Sequence, residues 1–202
     1  MTTRKPTKPA ARAPQRSNGV KRREAILKAA ADIISDVGIA GLTLHAAAQR
    51  AKSSIGSMYH FFSDKDQLLT ALRDQHRQDM DELMSYVSSI PADQWGQMTA
   101  DDVVDTVFGR PIQYYLDHPF ALELHQLHEG QSIDEFMALL EKVMVARMGK
   151  EHGTQTAKVL YAVSTGTLSF VLDVENARQR SLASDIPAVL KAYLAAQEAT
   201  IR

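Results

Sequence analysis

The chain of 202 residues is long enough to bury a core as one compact body or two small domains. Apolar residues make up 45% and charged residues 23%, as in ordinary globular proteins, and the lack of cysteine excludes a disulfide scaffold, a thiolate metal site and a cysteine nucleophile. The net charge of −1 conceals an asymmetry: residues 1–23 carry eight Lys or Arg and no acid, leaving 15 basic groups against all 24 acids downstream. A basic arm on an acidic body points to a polyanion partner at one end, with a solubilising tail as the plainer alternative. No run reaches the length of a membrane span and no apolar signal core stands near the start, so the expectation is a cytoplasmic protein without a membrane partner.

Residues 1–19 contain Pro6, Pro9 and Pro14 and almost no apolar bulk, which predicts a disordered basic arm. A first helix is predicted over 20–37, with Ile26, Ala30, Ile33, Ile34 and Val37 on one face and Gly38 as its left-handed stop. Arg22 and Arg23 stand with Lys21 at its N-terminus, where cations oppose the helix dipole unless a phosphate lies close. Two short helices follow at about 43–50 and 54–61. A longer one begins after Ser63, where Ser63 and Asp66 have capping-box spacing. The stretch 91–100 reads as a loop. Further helices are predicted at about 101–117, 119–129, 132–149, 153–179 and 185–200. Period-two strand patterns are hard to find, so the fold class is all-α. No internal repeat is evident.

The segment LTLHAAAQRAKSSIGSMYHFFSDKDQLL has the anatomy of a helix-turn-helix. Thr43 can cap the first short helix, and Ser53 or Ser54 the second. Ala46, Ala47, Ala48 and Ala51 let two helices cross closely. The second helix offers Ile55, Gly56, Ser57, Tyr59 and His60, and short side chains suit entry into a major groove. Gly56 weakens its helix, for which close backbone approach to DNA is one reason and a bend or loose packing another.

Over residues 23–72 the chain resembles the N-terminal domain of the TetR family of regulators. The resemblance rests on Ile26-Leu27-x-Ala29-Ala30, Gly38, Leu42-Thr43, Ala48, Ala51, Gly56-Ser57-Met58-Tyr59, Phe62, Lys65 and Leu68 in one register. It implies double-stranded DNA as partner. Thr43, Tyr59 and Lys65 would hold phosphates, Ser54, Ile55, Gly56 and Ser57 would face the groove, and His60 would touch backbone or base. Arg22, Arg23 and Lys52 join these as candidate DNA-binding residues. Five departures stand out. Lys52 and Ser53 occupy positions where the family usually has Gly and Val, Ala47 replaces a common Ile, and Phe61 replaces a common His. Lys52 would be strained in a left-handed turn. Ile55 replaces a frequent basic or polar residue and suits a thymine methyl.

The organisation expected is therefore a basic arm over 1–19, a helix-turn-helix domain over 20–72 and a larger helical domain over 73–202. The resemblance implies that the larger domain holds a small-molecule effector, apolar or aromatic, and forms a homodimer. Phe108, Phe136 and Met137 are candidate apolar contacts, with Gln113, Tyr114, His118, His125 and His128 as the polar groups, although aromatic and Met stripes on helices are more often core. His125 and His128 stand one turn apart and could share an ion. Helical histidines without a ligand motif are mostly ordinary polar groups, so no metal or cofactor is assigned. Ala162, Gly166 and Ser169 line one side of a helix with small groups. Val189, Leu190, Tyr193 and Leu194 lie along the last helix. These seven are the candidate dimer interface, with packing inside the monomer as the alternative. No Gly-rich phosphate loop or HExxH motif is present, so no enzyme activity is assigned. The function predicted is a ligand-responsive DNA-binding repressor. The alternative is a helical small-molecule- or metal-binding protein without sequence-specific DNA recognition.

Overall fold

The computed structural model describes the backbone over residues 15–126, 131–172 and 181–201, and side chains over 18–124, 135–172 and 182–201. Among these residues every regular element is helical: α1 (Gln15–Gly41), α2 (Leu44–Arg50), α3 (Ile55–Phe61), α4 (Lys65–Ser89), α5 (Ala92–Trp95), α6 (Ala100–Asp117), α7 (Phe120–Gln126), α8 (Gln131–Met148), α9 (Lys150–Leu172) and α10 (Ile186–Ala199), the last preceded by a 3₁₀ turn, Ser181–Asp185. The basic arm over 1–14 lies outside the described residues, and 15–19 of the segment expected to be disordered are already helical.

Gly38 does interrupt α1, but not as the left-handed cap expected. Its backbone (φ 73°, ψ 171°) lies in an extended region open essentially to glycine alone. Val37, just before the kink, is 63% exposed, while Ile26, Ala30, Ile33 and Ile34 are buried. Capping of α4 is also displaced. Asp64, not Ser63, accepts the Gln67 N–H at 2.8 Å, and the Gln67 amide oxygen accepts the Ser63 N–H at 3.1 Å. The hydrogen bond from the Ser63 hydroxyl, and next that from the Gln67 backbone N–H, hold the Asp64 carboxyl below its usual pKa. The stretch expected to be a loop contains the short α5, formed because Trp95 buries its indole in the core. The following helix begins at a capping box within that same stretch, Thr99 with Asp102.

Two apolar clusters form. One gathers α1, α2, α3 and the first turns of α4 (Leu68, Leu69, Leu72), together with Leu124 from α7. The other gathers the later part of α4 with α5, α6, α8, α9 and α10. Each fully buried Leu or Ile contributes about 1.5–3 kcal/mol through removal from water. Gly149 (φ 77°) turns α8 into α9, which begins at Lys150 rather than 153. Gly153 allows the two helices to touch, because a Cβ there would stand 2.6 Å from the Val145 backbone. Arg147 fastens this body: its guanidinium donates to the carbonyl oxygens of Trp95 and Met98 and pairs with Glu198 of α10.

Candidate nucleic-acid interface and internal cavity

Helices α2 and α3 are short, so their ends must be satisfied by side chains. The Thr43 hydroxyl accepts the Ala46 N–H at 3.1 Å, and the Ser54 hydroxyl accepts the Ser57 N–H at 3.2 Å. Ser54 is thus the cap of α3. Between the helices Lys52 adopts φ 51°, left-handed without being glycine, and the turn keeps its backbone bonds from Lys52 N to Gln49 O and from Ser53 N to Ala48 O. The Ser53 hydroxyl oxygen is buried without a hydrogen-bond partner among the described residues. Met58 anchors α3 in the core.

The outer face of α3 presents Ile55 (38% exposed), Gly56, Tyr59 (54% exposed) and His60. Apart from its own stretch of helix, no atom of the described residues lies within 4 Å of where a Cβ on Gly56 would be. Ser57, half-buried, accepts from Arg22 at 3.3 Å and from the Ser54 hydroxyl at 3.0 Å. Arg23 lies over the Phe62 ring, 5.5 Å from its centroid. Thr43, Arg22 and Lys52 are exposed on the same region of chain. Lys65 departs from the group: its ammonium donates to the Ile39 carbonyl at 2.6 Å and is half-buried. An ammonium has three donors, so this bond leaves others for a further acceptor.

The larger cluster encloses a cavity of about 220 Å³ between α4, α6, α7, α8 and α9. Phe108 and Phe136 line it, as expected, and meet edge to face with centroids 5.8 Å apart. The other candidates among the described residues do not. Gln113 is exposed and donates to Asp117, His118 is exposed beside the Tyr114 ring, and Met137 is not on the cavity wall. His128 and the His125 side chain lie outside the described residues. Tyr114 instead faces α4, where its hydroxyl donates to Asp79 at 3.0 Å and its ring stacks on the buried His76. The polar groups that do line the cavity include Tyr115, Tyr161, Ser164 and Thr165, with Arg77, Asp81 and Glu135 at its exposed rim. Sequence reasoning missed Tyr115. It is the neighbour of Tyr114, and only the rotation of α6 distinguishes them.

Of the seven candidate pairing residues, Leu190 and Leu194 are fully buried in this chain's own core, which removes them from a surface. They follow the inward period of α10. Ala162 and Gly166 are exposed on α9 together with Phe170 (57%), and Val189 (51%) is exposed on α10. Ser169 and Tyr193 are half-buried. As at Gly56, nothing lies within 4 Å of a Cβ built on Gly166.

Residues 26–72 match the family model of bacterial regulatory proteins, tetR family. This segment belongs to the TetR family. Solved structures extend the likeness in fold beyond this segment. A putative fatty acid metabolism regulator from Clostridium perfringens superposes with a TM-score of 0.58 at 15% identity, over 84% of this chain and 97% of the other. A gamma-butyrolactone receptor described as an ArpA-like protein gives 0.55 at 13% identity, over 87% and 98%. At such identities the likeness is one of fold: an N-terminal helix-turn-helix and a larger helical body. No curated protein matches the chain. Among the described residues no helix is long and apolar enough to cross a membrane.

Proposed function

We propose that this TetR-family chain is a homodimeric, cytoplasmic repressor without enzyme activity, released from its operator by a small molecule held in the α4–α9 cavity. The observation that carries the reading is one continuous helix. The first turns of α4 belong to the core beneath α3, while Met80 and Met84 line the cavity. Anything that moves the cavity end of α4 therefore acts on the element supporting the recognition helix.

On DNA, α3 enters the major groove. The open space around Gly56 supports a close backbone approach, since no packing contact within the chain accounts for a glycine there. Ile55 and Ser57 read base edges, with Ile55 suited to a thymine methyl, and Ser54 and His60 lie at the groove edge. Thr43, Tyr59, Lys65, Arg22, Arg23 and Lys52 engage phosphates and set the register. Engagement requires Arg22 to exchange its Ser57 contact, and Lys65 to share its Ile39 contact, with a phosphate oxygen. The basic arm adds salt-dependent affinity.

Pairing uses the outward faces of α9 and α10. Ala162, Gly166 and Ser169 allow close helix approach, and Phe170, Val189 and Tyr193 supply apolar area. Two-fold symmetry then sets two copies of α3 about 34 Å apart, one turn of B-DNA. Ligand binding favours a dimer in which that spacing differs; without a difference in affinity between the two shapes nothing shifts.

Footprinting on the DNA flanking the gene tests the reading. Two protected half-sites about one helical turn apart are expected. Protection that shows no preferred site would instead favour the helical ligand-binding protein without sequence-specific recognition.

A further inference from the structure

Ser57 is tied to its surroundings before any DNA arrives. Its hydroxyl oxygen accepts the Ser54 O–H at 3.0 Å and an N–H of Arg22 Nη1 at 3.3 Å, and its backbone N–H donates to the Ser54 oxygen at 3.2 Å. A serine oxygen has two lone pairs, so these two donors fill its accepting capacity. The bonds with Ser54 are local to the first turn of α3. The bond from Arg22 is not: it joins α1 to α3 across 35 residues of chain.

The neighbouring cations are held in ways that cost them less. Arg23 stands over the Phe62 ring, 5.5 Å from its centroid, a contact that needs no N–H donor. Lys65 spends one of three ammonium donors on the Ile39 carbonyl. Arg22, itself exposed, is bound to the side chain proposed above to read a base edge. On that reading, Arg22 has to leave Ser57 to reach a phosphate, and Ser57 takes a base edge in its place.

The exchange has different outcomes on different DNA. At a matching site, Ser57 replaces the lost guanidinium bond with a bond to a base. On another sequence, Arg22 still gives up Ser57, and no base edge compensates. A single long hydrogen bond at an exposed site lies at the low end of the usual worth of such bonds. That is enough to change an affinity by a factor of about two for each chain on the DNA.

We propose that Ser57 restrains Arg22 as well as reading a base, and that this restraint lowers affinity for DNA of the wrong sequence more than for the operator. Ser57 is then a specificity-determining residue in two ways, through the base it contacts and through the phosphate contact it holds back. The opposite role, in which Ser57 places Arg22 ready for a phosphate, predicts a change of opposite sign.

The test is fluorescence anisotropy of the full chain and of Ser57→Ala, Arg22→Ala and the double variant on two duplexes. One is the footprinted DNA flanking the gene, the other a scrambled duplex of equal length and composition. Ser57→Ala should bind the scrambled duplex at least about 2-fold more tightly than the parent, since alanine frees Arg22 and keeps the backbone N–H that Ser54 caps. This gain should vanish in the Arg22→Ala background, where no guanidinium remains to be freed. On the flanking DNA, Ser57→Ala should bind more weakly than the parent, because the base contact is lost. Scrambled-duplex affinity of Ser57→Ala equal to or below that of the parent would overturn the proposal, as would a gain that persists without Arg22. Equal gains on both duplexes would also overturn it, since Ser57 would then read no base. A parent that binds both duplexes alike would overturn the operator reading itself, and the proposal with it.

Discussion

The Glu123 carboxylate accepts the backbone N–H of Ile39 at 2.9 Å, tying α7 to the end of α1. The Ile39 carbonyl is held from the other side by Lys65 of α4. A Cβ on Gly38 would stand at an ordinary 3.6 Å from both Glu123 oxygens, so it is the positive φ at this kink, not lack of space, that favours glycine beside the bond. Three consecutive residues of α7 thus face three ways: Leu122 lines the cavity, Glu123 grips α1, and Leu124 fills the core beneath the recognition helix. Thus α7, like α4, touches both the cavity wall and the core beneath α3.

Glu123→Ala should therefore lower stability by about 1.5–3 kcal/mol, the usual worth of a hydrogen bond to a charged acceptor, and Glu123→Gln by less because an acceptor oxygen remains. Urea unfolding of the three proteins measures this. Equal stability of the alanine variant and the parent would show that the bond carries no weight. Gly38→Ala should cost about 1–3 kcal/mol through backbone strain alone.

The departures in the helix-turn-helix turn should be reversible in the stabilising direction. A left-handed non-glycine residue costs about 1–2 kcal/mol, partly offset by the greater unfolded-state freedom of glycine, so Lys52→Gly should gain up to about 1 kcal/mol. Ser53→Val removes a buried hydroxyl that lacks a protein partner and should gain about 1–2 kcal/mol. Thermal unfolding measures both. A fall in midpoint for Ser53→Val would mean that the hydroxyl is satisfied in solution.

On DNA, Tyr59→Phe and Thr43→Ala should weaken binding to all sequences by similar factors, whereas Ile55→Ala should change preference at one base pair. Because α1 begins at Gln15, the informative truncation removes residues 1–14. It takes away Arg4, Lys5, Lys8 and Arg12 and should reduce the slope of log affinity against log salt by about 0.9 for each phosphate that the arm neutralises. Fluorescence anisotropy across a salt series reads all four variants, and an unaltered slope would make the arm a mere tail.

Pairing can be tested without disturbing the monomer core. A Cβ on Gly166 meets nothing among the described residues, so Gly166→Arg should spare the monomer core while blocking close helix approach. Phe170→Glu puts a charge on the same exposed face. Sedimentation should find a dimer for the parent and monomers for both variants. Unchanged dimers would place the interface elsewhere.

The approximate course of most helices, the cap at Thr43, a serine cap at 53 or 54, the break at Gly149 and the TetR-like helix-turn-helix were legible in the sequence, because each depends on residues a few positions apart. Even there, near neighbours competed: Asp64 displaced Ser63 as a cap, and burial of Trp95 made a helical turn from a loop-like stretch. Tertiary structure alone decided which polar groups the cavity holds. Tyr114 and Tyr115 have the same chemistry and adjacent positions, and about 100° of helical rotation sends one to Asp79 and the other to the cavity. It likewise divided α10 into Leu190 and Leu194 within the core and Val189 outside. Hydrophobic period marks a face as apolar, but what covers that face depends on packing against helices distant in the chain.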